Sequence, residues 1–256
     1  MKLTILPLTP LVTVITSTTA NPLLDKVLRS VQSQTHKKIH HLLMVDGPQH
    51  HIKVTDSVSQ VKQDFPNANI DVVYLPYATG TERFNGHRNL AAGVYLAKGD
   101  YICFLDDDNT MDPTHIEDCW KVTNENGNNW SYSLRKIVDK QHNFLCNDDC
   151  ESLGKWASII NPNDYFIDMN CYFLPKNIAL TITPVMHRKF REPGQVEVDR
   201  AMIGALKQIG TKFDTTGKYT INYAVGGSAL SVAPEFFVRG NALFANEYPN
   251  GFPWRR

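Results

Sequence analysis

The feature that most constrains this chain is an alternation, over its first hundred residues, of short apolar runs with amphipathic stretches of helical period. Leu11 to Thr16 is β-branched, is bounded by Pro10 and a polar turn, and reads as a buried strand. Asn21 then offers an N-cap and Pro22 suits a first helical position, while Leu24, Val27, Leu28 and Val31 recur at helical spacing. A second strand, Ile39–Val45, stops at the turn signal Asp46-Gly47-Pro48, and Val54, Val58 and Val61 give residues 52–64 the apolar side of a helix. Ile70–Leu75 is a third strand. Residues 85–98 are predicted helical, with Leu90, Ala91, Val94 and Tyr95 facing inward and Gly99 at the end. Tyr101–Leu105 is almost continuously apolar, as expected of a strand covered on both faces. This order predicts an α/β fold with a largely parallel, doubly wound sheet flanked by helices.

The second half is less regular. It predicts a helix over 113–125, a polar turn over 124–129, a strand over Trp130–Val138 and a loop-rich insertion over 141–164. A helix over Val198–Ile209 and a strand over Tyr219–Val225 follow. Pro234, Pro249 and Pro253 predict a tail that wraps the surface rather than a long helix. Lys plus Arg and Asp plus Glu are both 26, so the balanced charge gives no support to a general nucleic-acid-binding face. Pro7 and Pro10 interrupt the apolar stretch after Lys2, which argues against a secretory signal, and no apolar run is long enough to span a bilayer. Five cysteines at irregular spacing do not make a disulfide framework. A cytoplasmic protein is the expectation, with peripheral membrane attachment and homo-oligomers left open.

Ligands of parallel sheets bind beyond the carboxyl ends of the strands, so Thr16-Ser17-Thr18-Thr19, Asp46-Gly47 and Asp106-Asp107-Asp108 should converge. Three adjacent carboxylates repel one another unless a cation or ordered water compensates. Asp106 and Asp108 can face one way while Asp107 points elsewhere, and hard oxygen ligands suit Mg²⁺ or Mn²⁺ bridged to phosphates. The plainer reading is a solvated acidic turn. The Thr16 to Thr19 segment could hold a nucleotide or only cap the next helix, and Asp46 could bind a base or ribose or sit as a turn carboxylate. Arg83 and Arg88 suit phosphate, with surface ion pairs as the ordinary alternative. His87 reads as a local hydrogen bonder. Cys146 and Cys150, with His142, Asp148 and Asp149 nearby, lack the second ligand pair of a structural zinc site, so unligated cysteines are expected. Downstream, Asp199 lies at a predicted helix start near Glu197 and Glu192; a general base, a helix cap and an ion pair with Arg200 all remain open.

The run Val14-Ile15-Thr16-Ser17, Val45-Asp46-Gly47, Gly86-His87-Arg88-Asn89 and Gly99-Asp100-Tyr101-Ile102-Cys103-Phe104-Leu105-Asp106-Asp107-Asp108 resembles the glycosyltransferase family 2, or GT-A, nucleotide-sugar transferases. The resemblance is clearest over residues 11–120. It implies a Rossmann-like, mostly parallel sheet in one domain over 1–256, with a donor-binding half at 11–110 and an acceptor half plus tail at 111–256. It implies further that Thr16, Ser17 and Thr18 line the nucleotide pocket, Asp46 contacts the nucleoside, and Arg88, with Arg83 nearby, helps place the diphosphate. Asp106 would lie near ribose or metal beside Asp107, and Asp108 would ligate Mn²⁺ or Mg²⁺. An inverting transfer from a nucleoside-diphosphate sugar, a UDP-sugar by default, to a hydroxyl of a carbohydrate or glycoconjugate acceptor follows from the same resemblance. Asp199 would be the base, with Glu197 and then Glu192 as competitors, because the family's adjacent Glu-Asp pair is here Glu197-Val198-Asp199. Asp168-Met169-Asn170 would line the sugar pocket. No histidine follows His187, so a third metal ligand is either His187 or not protein at all. The chain also lacks the Gln-x-x-Arg-Trp motif of processive synthases, which implies a non-processive enzyme. A nucleotidyltransferase is the first alternative, although Thr18 to Pro22 lacks the glycine- and basic-rich character it would need; a non-catalytic sugar- or nucleotide-binding protein is the second.

Overall fold

The computed structural model describes residues 9–125, 127–226 and 232–256; Lys2 and Pro7 of the leader argument and Asn126 of the polar turn lie outside the described residues. In chain order the elements are β1 (Val12–Thr18), α1 (Leu24–Gln32), β2 (Ile39–Val45), α2 (His51–Asp64), β3 (Ile70–Tyr74), α3 (His87–Leu96), β4 (Tyr101–Phe104) and β5 (Thr110–Met111). They continue with α4 (His115–Asn124), β6 (Trp130–Val138), β7 (Phe144–Asn147), β8 (Tyr172–Pro175), α5 (Lys176–Ile182), α6 (Val198–Ile209), β9 (Phe213–Ala224) and α7 (Pro234–Glu247).

Among the described residues these strands form one nine-stranded sheet, ordered β3-β2-β1-β4-β8-β6-β9-β5 with β7 paired to β6. The pairs β1–β2, β1–β4, β2–β3 and β6–β9 are parallel, whereas β8 runs antiparallel to both β4 and β6. Two reversals restore direction, so β1, β2, β3, β4, β6 and β9 all point one way and the sheet is mostly parallel. Alternation along β2 shows why its stretch from Leu42 to Val45 is continuously apolar: Leu42 and Met44 enter one core, Leu43 and Val45 the other. Burying both faces leaves no position for a solvated side chain.

The first hundred residues follow the apolar pattern closely, with one rotation. Helix α3 turns Leu90, Gly93 and Val94 inward, while Tyr95 is exposed and donates or accepts at Thr183 Oγ1 (3.1 Å). Gly93 is the reason. A Cβ there would stand 2.6 Å from Ile15 Cγ2, so its absence lets α3 press onto β1. Gly93→Ala should therefore be destabilising although alanine is the better helix former: the propensity gain is about 1 kcal/mol, whereas overpacking costs roughly 1–3 kcal/mol. A melting temperature lower by a few degrees is expected; an unchanged or higher one would show that Ile15 yields freely.

The second half departs from expectation in three places. The insertion over 141–164 contains β7, and the strand expected from Tyr219 begins at Phe213. The tail contains a helix of 14 residues, against the expected surface wrap. Pro234 sits in the first turn of α7, where its missing N–H would be unpaired anyway, and Phe237, Gly240 and Phe244 form the buried stripe. Behind it Trp254 is fully buried and donates Nε1–H to Asp149 Oδ1 at 2.8 Å. No helix among the described residues is long and apolar enough to cross a membrane.

Candidate active site

The parallel strands β1, β2, β4 and β9 all end on one side, and a cleft of about 570 Å³ opens there. Its walls carry Ser17 and Thr18 from β1, Asp46 after β2, Asp106 to Asp108 after β4, and Tyr223 from β9. A second cavity of about 240 Å³ lies beside it, bounded by Asp168, Asn170, Glu197, Asp199 and Arg200 among others. Asn85, His87, Asp106 and Tyr223 line both spaces, so the two meet at a junction framed by these four side chains.

Of the residues singled out at the ends of β1 and β2, Thr16 does not face the cleft, whereas Ser17 and Asp46 line it and are also hydrogen-bonded within the protein. Thr16 is fully buried and off the cleft wall; its hydroxyl pairs with His41 Nε2 of β2 at 3.1 Å, because alternation along β1 sends it opposite to Ser17. Ser17 Oγ accepts from Asn89 Nδ2 at 3.2 Å. Asp46 accepts the Thr79 N–H (2.6 Å), the Thr79 hydroxyl (3.0 Å) and the Gly80 N–H (2.9 Å). Burial would raise its pKa, but these hydrogen bonds outweigh that and hold it below the ordinary carboxylate value. Its carboxylate thus anchors the 79–80 loop, of which Gly80 lines the cleft.

Neither arginine lies on a cleft wall. Arg83 has a positive φ of 70° and pairs with Glu192 (2.8 Å), and its own carbonyl takes the Phe190 N–H, tying the loop after β3 to the loop before α6. That contact also removes Glu192 from the cavity. Arg88 stacks on the Phe84 ring, its guanidinium 3.0 Å from the centroid, with Nε buried and without a hydrogen-bond partner. His187 packs against the same phenylalanine, ring centroids 5.2 Å apart, and is likewise absent from both walls.

The acidic run divides as its spacing suggests. Asp107 accepts from the Thr18 hydroxyl (2.7 Å) and the Thr19 N–H (3.1 Å), which fastens β4 to the end of β1. Asp106 is held by Asn170, whose amide donates to its carboxylate (2.9 Å) and whose carbonyl oxygen accepts its backbone N–H (2.6 Å). Burial, then the charges of Asp108, Asp168 and Asp199, push Asp106 well above the ordinary range. Burial and the charge of Asp107 push Asp108 up to about 6. Acidic groups raised in this way are short of positive charge, and a cation among their oxygens would relieve both. Among the described residues no three His, Cys, Asp or Glu side chains are grouped as a metal site.

Beneath the second cavity lies a residue that sequence reasoning passed over. Arg135, on β6, is 2% exposed and pairs with Asp148 (2.8 Å), Glu151 (2.6 Å) and Asp168 (2.5 Å). Burial would lower its pKa, but the three carboxylates raise it well above normal. Asp168 in turn accepts from the Asn170 side chain (2.7 Å), so Arg135 positions Asp106 through two intervening side chains. The signal was present: Arg135-Lys136 places two charges side by side in a strand, and one of them must point into the core. Asp148 also accepts three backbone N–H groups from Cys150, Glu151 and Ser152, and Asp149 is held by Tyr219, Trp254 and Arg255. With His142 donating Nε2–H to the Asp108 carbonyl, the residues around Cys146 and Cys150 are otherwise occupied, and both cysteines are free.

Asp199 stands in the first turn of α6 with Oδ1 buried and unpartnered. Burial, reinforced by the charge of Asp168, raises it to about 7. Glu197 differs: its Oε1 accepts the Arg191 N–H at 3.0 Å and so fixes the loop before the helix.

Compared with known proteins, residues 13–144 match the family described as Glycosyl transferase family 2. The fold is similar to S. aureus TarS 1-349 in complex with UDP-GlcNAc, with a TM-score of 0.59 at 16% identity over 94% of this chain and 67% of that one. A longer S. aureus TarS chain gives a TM-score of 0.57 at 14% identity, covering 94% of this chain and 40% of that one. The mannosyltransferase PcManGT from Pyrobaculum calidifontis in complex with GDP-Man and Mn²⁺ gives 0.57 at 14% identity, over 86% of this chain and 58% of that one. No curated protein sequence matches the chain.

Proposed function

The chain belongs to glycosyl transferase family 2, and from that premise we propose that it moves a sugar from a nucleoside-diphosphate donor to an acceptor hydroxyl with inversion at the anomeric carbon. It is a glycosyltransferase with an α/β, mostly parallel sheet of the GT-A kind. The observation that carries the finer reading is the junction: a long polar cleft suited to a nucleotide meets a smaller acidic cavity at Asp106, with the unpartnered carboxylate oxygen of Asp199 beyond it. In this reading residues 11–110 supply the donor half and 111–256 the acceptor half. UDP-sugars are the favoured donors, consistent with the UDP-GlcNAc held by one structural neighbour; GDP-Man in another keeps guanine open. Transfer is non-processive.

Ser17, Thr18 and Asp46 border the nucleotide end of the cleft, Asp46 acting through the 79–80 loop that it holds. Asp108, with Asp106, would hold Mn²⁺ or Mg²⁺, since both carboxylates are raised for want of positive charge. Such an ion, when bound, supplies Lewis-acid neutralisation of the departing diphosphate. Diphosphate and water oxygens would supply the remaining ligands of such an ion, since His187 packs against Phe84 and lines neither cavity. Asp199 takes the proton of the acceptor hydroxyl as the acceptor oxygen attacks the anomeric carbon and the nucleoside diphosphate leaves. Arg83 and Arg88 shape the loop rather than touch phosphate.

The test follows nucleoside-diphosphate release from a panel of nucleotide sugars, with and without Mn²⁺. No turnover or binding with any donor would sink the proposal. Asp108→Asn is expected to weaken Mn²⁺-dependent donor use by on the order of 100-fold. A second readout is thermal. Asp108, raised to about 6, stabilises the metal-free fold below its unfolded value near 4 and loses that contribution as pH rises through about 6. Mn²⁺ should therefore raise the melting temperature more at pH 8 than at pH 5.5, and Asp108→Asn should abolish that difference.

A further inference from the structure

Tyr223 carries a hydroxyl that the fold does not use. The residue is half-buried near the end of β9, and among the described residues its Oη makes no hydrogen bond. Tyr132, by contrast, donates its hydroxyl to the Leu153 carbonyl at 2.9 Å. The Tyr172 hydroxyl is unpartnered but sealed in the core, whereas the Tyr223 Oη is open. The residue lines both the donor cleft and the acidic cavity, so that opening is at their junction. Its ring is also held in place. Ile137 of β6 stands opposite Tyr223 in the parallel register. Both chain neighbours are pinned: Asn222 Nδ2 donates to Asp112 Oδ1 (3.0 Å), and the Ala224 N–H donates to Asn109 Oδ1 (2.9 Å). Arg135, two residues before Ile137 on the same face of β6, sets its guanidinium 4.3 Å from the ring centroid. Three carboxylates fix that guanidinium in turn. A phenol locked by packing, with its O–H unspent and reachable, is organised in advance for a ligand.

We propose that Tyr223 is a specificity-determining residue whose hydroxyl hydrogen-bonds a hydroxyl of the transferred sugar. This rests on the transfer reading above: the nucleotide fills one space, the acceptor fills the other, and the group passed between them spans the junction. A phenol here is neutral, because burial raises it above its ordinary value against the pull of Arg135. It therefore gives one hydrogen bond and takes another, which a sugar hydroxyl reciprocates. An anionic group at the same point would call for a free cation. The cations on the cavity wall among the described residues are Arg135 and Arg200. Arg135 is committed to its three carboxylates, and Arg200 to Asp164 (2.5 Å) and Glu151 (3.5 Å).

The experiment compares wild type with Tyr223→Phe, which removes one oxygen and keeps the ring beside Arg135. Melting curves come first. An open, unbonded hydroxyl contributes little to the fold, so the melting temperature should be unchanged; a clear drop would show that the fold uses the hydroxyl and overturn the premise. Calorimetry with Mn²⁺ at pH 7.5 then gives the affinities for UDP and GDP. Nucleoside-diphosphate release, with water as acceptor, gives kcat/KM for UDP-glucose, UDP-galactose, UDP-GlcNAc and GDP-mannose. Tyr223→Phe should leave nucleoside-diphosphate affinity within about twofold and lower kcat/KM for the preferred donor by about tenfold, the worth of one hydrogen bond. Deoxy analogues of that donor, each lacking one sugar hydroxyl, locate the contact. One of them should be used equally by wild type and Tyr223→Phe, while the others keep the tenfold gap. A gap that survives in every analogue would overturn the proposal, as would no loss at all. Equal losses for the nucleoside diphosphate and the nucleotide sugar would make Tyr223 a diphosphate contact and overturn it too. Failure of wild type to use any donor would instead overturn the transferase reading, and this inference with it.

Discussion

Replacing Arg135 with leucine is expected to cost about 3–5 kcal/mol of folding stability, the usual consequence of removing one partner from a buried ionic cluster. Asp148, Glu151 and Asp168 would keep their buried positions and lose the only guanidinium that contacts all three among the described residues. For a chain of this size that corresponds to a melting temperature lower by roughly 10 °C. The deficit should shrink as pH falls from 8 to 5, because carboxylates deprived of their cation bind protons more tightly and the neutral forms tolerate burial. Arg135→Lys should recover only part of the loss: a compact ammonium carries the charge but cannot present a rigid planar fork to three acceptors. Urea unfolding at pH 8 and pH 5 measures both effects. A loss under 1 kcal/mol at pH 8 would show that solvent reaches the cluster and that Arg135 does not organise the cavity floor. Loosening Asp168 should also disturb Asn170 and hence Asp106, so donor affinity ought to fall beside stability.

That cluster marks where the sequence stopped being readable. Strands covered on both faces are rich in β-branched and apolar residues and amphipathic helices repeat near 3.6 residues, so β1 to β4 and α1 to α3 could be read locally. The second half depends on distant partners. The polar start of β9, Phe213 to Lys218, becomes a strand only because β6 lies parallel to it, and α7 survives its proline because that residue opens the helix. The site shows the same division. The topology rule brings strand ends together, so Ser17, Thr18, Asp46 and the acidic run could be placed on one cleft in advance. Which of them stay free for a ligand could not. Thr16 differs from Ser17 only by one step of alternation, and Asp46 is saturated by a loop 33 residues on. Arg83 meets a glutamate 109 residues away. Such pairings are properties of the packed chain, and no local pattern announces them.

The largest effect on chemistry is expected from Asp199→Asn. General-base catalysis is worth about 10²–10⁴-fold, so transfer to acceptor should fall within that range, while UDP affinity stays within about twofold because Asp199 is absent from the donor cleft wall. The pH profile separates this from a packing defect. Burial and Asp168 raise Asp199 to about 7, and a base works only when ionised, so wild-type kcat should climb as pH rises through about 7 and then level. Asparagine cannot titrate, and the variant should lose that limb rather than merely lie below it. Glu197→Gln is the control for the rival assignment. Since Glu197 already accepts the Arg191 N–H, its loss should loosen the preceding loop and reduce activity by less than about tenfold, with the limb near 7 retained. Unchanged transfer in Asp199→Asn would remove it as the base. A lost limb in Glu197→Gln would hand the role to Glu197 and require the loop before α6 to rearrange when acceptor binds.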